Sequence, residues 1–75
     1  MAHTSFNVVI HEEEVNDKRV FVADCEELGI SDYGETVEIA IYNLKEAVNL
    51  YLEEFPEDRV LLEKEHLILT TKVFL

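Results

Sequence analysis

Phe6, Val8 and Ile10 alternate with Asn7, Val9 and His11, the period of two that belongs to a strand with one strongly apolar face. The polar run Glu12-Glu13-Glu14-Val15-Asn16-Asp17-Lys18 has no helical periodicity and contains Asn-Asp. It is expected to end that strand and turn the chain back as a hairpin. Arg19 to Asp24 reads as a second strand, because Val20-Phe21-Val22-Ala23 is β-branched or apolar on both faces, as in a strand flanked by neighbours. A short third strand around Leu28 to Asp32 completes an antiparallel meander, with Gly29 and Gly34 as candidates for φ > 0.

The periodicity then changes. Thr36 is suited to cap a helix through its hydroxyl, with Glu38 near the positive helix end. Val37, Ala40, Ile41, Leu44, Ala47, Val48, Tyr51, Leu52 and Phe55 recur at spacings of three and four, which predicts one broad apolar helical face ended by Pro56. Glu57 to His66 is acidic around Val60-Leu61-Leu62 and is compatible with an irregular connection or a further short helical turn. Leu67 to Leu75 is β-branched and aliphatic without Gly or Pro and predicts a final strand. The expected chain is one α+β domain spanning residues 1–75 in the order β-β-β-α-β.

Two features of this pattern bear on association. Ile39, Tyr42 and Leu50 fall on the side of the helix opposite its main apolar face. The last strand is apolar on both faces, with Leu67, Leu69, Val73 and Leu75 on one and Ile68 and Phe74 on the other. Single apolar residues on a surface are ordinary, but a contiguous stripe marks a contact. One helix also covers only one face of a sheet, so the other face or a strand edge is left to another chain. A homo-oligomer, dimer or tetramer, is therefore expected, with Ile39, Tyr42, Leu50, Ile68 and Phe74 as candidate interface residues.

Charge narrows the choice of partner. Seventeen acidic residues stand against 6 basic ones, a formal net charge of -11, in a chain whose 48% hydrophobic content is that of a folded domain. Such a surface repels phosphate backbones, so direct nucleic-acid binding is not expected, while a basic protein is steered in. Solubility alone is the other reading of the same charge. A single cysteine, Cys25, allows no internal disulfide, no apolar run approaches the roughly 20 residues of a membrane span, and the N-terminus lacks a leader pattern. A cytoplasmic protein that neither spans nor binds membranes is expected.

Chemistry is sparse. Two-metal hydrolysis needs several carboxylates converging from neighbouring strands and a helix; the predicted last strand has none, and Asp24 with Glu46 makes no such site alone. Cys25 with His11 lacks an orienting third group, and a structural cysteine is the simpler reading. His3, His11 and His66 lack metal-ligand spacing, and the Glu12-Glu13-Glu14 run lacks the order of a calcium loop. No catalytic residue, cofactor or metal is expected. Glu12, Glu13 and Glu14 at the hairpin, with Glu26 and Glu27 after the second strand, are the candidate partner-binding residues.

One stretch carries a resemblance. Cys25, Glu27, Leu28, Gly34, Glu35, Thr36, Ala40, Asn43, Glu46, Ala47, Tyr51, Leu52 and Glu53 follow the pattern of the HicB family, over roughly residues 5 to 54. This family comprises the antitoxins of HicA/HicB toxin–antitoxin pairs and their stand-alone single-domain relatives. The resemblance implies a partial RNase H fold and a protein that neutralises a small basic mRNA-cleaving toxin by covering its active-site histidine. The sequence departs from the pattern at Glu26, where the family has proline, and at Ile39, where it commonly has a capping glutamate. Complete HicB antitoxins usually carry a helix-turn-helix or ribbon-helix-helix DNA-binding segment after this domain; with Leu75 the last residue here, autorepression at an operator is not expected. The alternative within the resemblance is a stand-alone homo-oligomer with no toxin.

Overall fold

A computed structural model describes residues 5–63 and 71–75. Strand β1 (Val8–Val15) pairs antiparallel with β2 (Lys18–Cys25), which pairs antiparallel with β3 (Ile30–Gly34), giving a three-stranded sheet in the order β1-β2-β3. Helix α1 (Val37–Glu54) follows, then a 3₁₀ turn (Pro56–Arg59) and one short helical turn, α2 (Val60–Glu63). The class is α+β.

The first hairpin is longer and tighter than its polar sequence implies. Glu12, Glu13 and Glu14 continue β1 up to a Val15–Lys18 pair, and the loop is only Asn16 and Asp17, at φ 50° and 66°. Positive φ at both loop residues is the type I′ connection, whose twist matches that of the strands it joins. Strand β3 begins two residues later than expected because Gly29, at φ 67°, closes a turn in which its N–H donates to the Cys25 carbonyl at 2.9 Å. Thr71–Leu75 belongs to no strand and is exposed, and Leu67–Thr70 of the predicted last strand lies outside the described residues.

Alternation sorts the sheet into two faces. Val8, Ile10, Phe21, Ala23, Cys25 and Ile30 face the helix. Against them α1 sets Ala40, Leu44, Val48 and Leu52, all buried and all on one helical stripe, and Leu62 of α2 closes the end of this core. Phe6, Leu28 and Tyr51 pack at its margins. Ile41 and Phe55, assigned to the apolar face by spacing, are 40% and 44% exposed and flank the core.

The helix starts and stops where its sequence dictates. Thr36 sits in extended conformation and its hydroxyl accepts the Ile39 N–H at 3.1 Å. At the other end the Phe55 N–H still reaches the Tyr51 carbonyl at 2.9 Å, and Pro56 opens the 3₁₀ turn. Tyr51 stacks on Phe55 at 5.0 Å between ring centroids, and its hydroxyl hydrogen-bonds the Asp58 carboxylate, which folds the turn back onto α1.

Gly34 is needed for room. It is buried where β3 passes under the first turn of α1, and a Cβ there would lie 2.6 Å from the Ala40 nitrogen and 2.9 Å from the Ile39 carbonyl carbon. Both obstacles are backbone, so they yield only if the helix moves. Gly34→Ala is expected to cost about 1–3 kcal/mol, the range for overpacking a core. In a domain of this size that is a large share of the roughly 3–5 kcal/mol a single small core supplies. The urea midpoint measures it, with Gly29→Ala as the comparison: space there is open and only the positive φ is strained.

Candidate binding surfaces

The five candidate carboxylates fall into two groups. Glu14 pairs with Arg19 near the hairpin tip, whereas Cys25 pairs with Val8 at the far end of the same ladder. Four to six residues of strand therefore separate Glu12, Glu13 and Glu14 from the end of β2 before the Glu26-Glu27 turn, about 13–20 Å at roughly 3.3 Å per residue. Glu12 lies 3.4 Å from the Arg19 guanidinium and Glu13 is 3.1 Å from the His11 ring, both at exposed positions.

Glu27 has an internal task. Its carboxylate accepts the Asn7 backbone N–H at 3.0 Å and the Asn7 side-chain amide at 3.2 Å, clasping the entry to β1 onto the turn after β2. Glu26 is exposed beside it. The carboxylates open to a partner are thus Glu12, Glu13, Glu14 and Glu26, at two separate ends of the hairpin, while Glu27 holds the fold.

The helix stripe lies open. Ile39, Tyr42 and Leu50 are 47%, 56% and 63% exposed. Ile39 has a local use that its sequence position does not reveal, because its Cγ2 lies directly over Gly34 and roofs the close crossing of β3 and α1. Phe74 is exposed, and Ile68 lies outside the described residues.

A further surface is the one expected from a single helix covering a single sheet face. The sheet face away from α1 carries Val9, Val20, Val22 and Tyr33, with Val15, Glu13 and Ser31 bordering a shallow cleft there. The apolar residues of β2 on both faces were its signal in the sequence, but periodicity does not say which face the single helix takes.

A polar row crosses this face. Asp24 accepts a hydrogen bond from the Ser31 hydroxyl on one carboxylate oxygen and lies 3.4 Å from His11 Nδ1 through the other. These are the residue types of a hydrolase triad in the wrong order: the carboxylate stands between serine and histidine, so no imidazole activates the serine hydroxyl. His11 is on the open face and Cys25 in the core, which separates the thiol from the imidazole by the sheet itself. Asp24 and Glu46 are on opposite outer surfaces of the two layers. Among the described residues no group of three or more His, Cys, Asp or Glu side chains could hold a metal ion, and no helix is long and apolar enough to cross a membrane. No family model, curated protein or solved structure matches the chain.

Among the described residues two groups titrate away from their ordinary values. Burial is the main force raising the Cys25 thiol above 9.0, aided by the charges of Glu27 and Glu26 and opposed by backbone hydrogen bonds at Leu28 and Glu27. The hydrogen bond to Asp58 raises Tyr51 above 10.0. For Cys25 the fold favours the neutral thiol, so its contribution is full below the unfolded value of 9.0 and is lost as pH rises through the higher folded value. Stability above pH 9.0 should accordingly fall more steeply in the wild type than in Cys25→Ala. A disulfide reagent should label Cys25 far more slowly in the native chain than in urea; equal rates would show that the thiol is not sealed in the core.

Proposed function

We propose that this chain is a HicB-like, non-enzymatic cytoplasmic protein that acts by binding, as the antitoxin of a small basic HicA-type toxin. The observation that carries the reading is the way the resembling residues share one structural unit. Cys25 and Leu28 anchor the turn, Gly34 admits the helix, Thr36 caps it, Ala40 and Leu52 line the core, and the Asn43 amide donates to the Tyr33 carbonyl at 2.8 Å. A net charge of -11 suits a basic partner. In this reading the finer arrangement is a partial RNase H fold.

Co-expression with a HicA-type toxin tests the reading directly. Growth arrest should be relieved and the two proteins should co-purify, with affinity falling as salt shortens the screening length from about 10 Å at 0.1 M to about 3 Å at 1 M. Glu13→Lys combined with Glu14→Lys should slow association several-fold. Unrelieved arrest, with no complex at low salt, would contradict the proposal.

The exposed Ile39, Tyr42 and Leu50 favour a second reading, a stand-alone homo-oligomer, dimer or tetramer, without a toxin. Sedimentation at micromolar concentration should then show more than one chain, and Ile39→Glu with Leu50→Glu should return it to a monomer. A wild type that sediments as a monomer would remove this reading.

A further inference from the structure

The sheet face turned away from α1 carries an apolar band, Val9, Val15, Val20, Val22 and Tyr33, none of which packs against the core below the helix. Tyr33 is 63% exposed and Val15 48% exposed, and a shallow cleft of about 410 Å³ is lined by Val15, Val20, Val22 and Tyr33. Water reaches the band.

Charge sets this face apart from the rest of the molecule. Among the described residues its carboxylates are Glu13 and Asp24, with Asp32 at the border, and the first two lie against His11, at 3.1 Å from Nε2 and 3.4 Å from Nδ1. Lys18, opposite Val15 in the register, stands on the same face. With His11 protonated, the two carboxylates are balanced by the imidazolium and the Lys18 ammonium. The other glutamates of β1, Glu12 and Glu14, alternate to the α1 side, and Glu38, Glu46, Glu53 and Glu54 belong to α1. A chain of net charge -11 thus keeps one face on which charge is sparse and locally paired. Charge depleted at the centre and plentiful around it is the anatomy of a protein contact.

We propose that this face is the contact between two copies of the chain, packed sheet against sheet. The local balance of charge decides the occupant. A strongly basic partner gains little here, because Glu13 and Asp24 already share an imidazole, whereas a second acidic copy meets the least like-charge repulsion that the surface offers. A two-fold axis near the middle of β2 sets the valines and Tyr33 of one copy on those of the other, the self-complementary arrangement of an isologous contact. Three strands of up to eight residues make a face of roughly 15 by 25 Å, so two copies bury on the order of 1,000 Å² together, the small end of specific contacts. The dimer is accordingly expected to exchange with monomer at micromolar concentration. It uses a different surface from the helix stripe of Ile39, Tyr42 and Leu50, and it does not rest on the antitoxin reading.

Sedimentation of the full chain from about 10 to about 500 μM tests the contact, since interfaces of this size fall in that range of affinity. Raising salt from about 0.01 M to about 1 M shortens the screening length from about 30 Å to about 3 Å, so the dimer should tighten about fivefold or more. A toxin complex held by opposite charges weakens over the same change, and the sign tells the two associations apart. Tyr33→Lys should weaken the dimer about tenfold or more, although it lowers the net charge of each copy. Ile39→Ser with Leu50→Ser should leave it unchanged. Should Tyr33→Lys fail to fold, the amide shifts of the wild type on dilution make the same test, with Val9, Val20, Val22 and Tyr33 expected to move.

A chain that stays monomeric to about 500 μM in 1 M salt would overturn the proposal. So would a dimer that loosens as salt rises, or one that Tyr33→Lys leaves intact. A dimer abolished by Ile39→Ser with Leu50→Ser but not by Tyr33→Lys would overturn it in favour of the helix stripe. Failure of Tyr33 to nitrate in the dilute monomer would show that the chain itself covers this face, and would overturn the proposal too.

Discussion

The close crossing of Gly34 beneath Ala40 is the constraint on which the rest of this structure depends. No other residue type fits there, because the obstacles to a Cβ are helix backbone atoms. The crossing fixes the height of α1 above the sheet, and that height suits a core whose central contacts are small, Ala23 and Cys25 against Ala40, with Leu44 filling the space one turn further along. It also places Asn43 within reach of the Tyr33 carbonyl. One close approach thereby decides which sheet face is covered and which sheet edge is closed.

Among the described residues the consequence is two layers, with α1 covering one face of the sheet. Below α1 the apolar residues are buried and the β3 edge is capped at its centre. On the other side Val9, Val20, Val22 and Tyr33 face away from α1, and among the described residues β1 pairs only with β2. The three glutamates of β1 stand along the hairpin half of that strand, whereas Glu27 is drawn inward to hold Asn7. A nucleophile, a metal site or a phosphate cradle is not needed to account for any of these features.

Much of the fold was legible in the sequence because the signals were local. The alternation of Phe6, Val8 and Ile10, the cap at Thr36, the three-and-four spacing from Val37 onward and the stop at Pro56 each depend on a few neighbouring residues. Less was legible where tertiary geometry decided the outcome. The glutamates looked like a loop, but on an edge strand their charges stay in solvent while their backbone continues the ladder, and Asn16-Asp17 alone makes the turn. Gly34 suggested a left-handed conformation and proved to be a matter of space. Glu27 looked like a surface charge because its partner, Asn7, is twenty residues away. An uncovered sheet face was expected, but which residues line it was not assigned, because strand periodicity does not choose between two faces.

The central claim is that, among the described residues, β1 pairs on one edge only, with β2, and that the backbone groups of Tyr33 in β3 are capped by Asp32 and Asn43. Residue-by-residue amide hydrogen exchange in the free chain tests it most directly. The account predicts alternation along β1, with Val9, His11 and Glu13 protected and Val8, Ile10, Glu12 and Glu14 exchanging freely, and with the Tyr33 amide slowed by Asp32. Uniform protection along β1, or a freely exchanging Tyr33 amide, would contradict it.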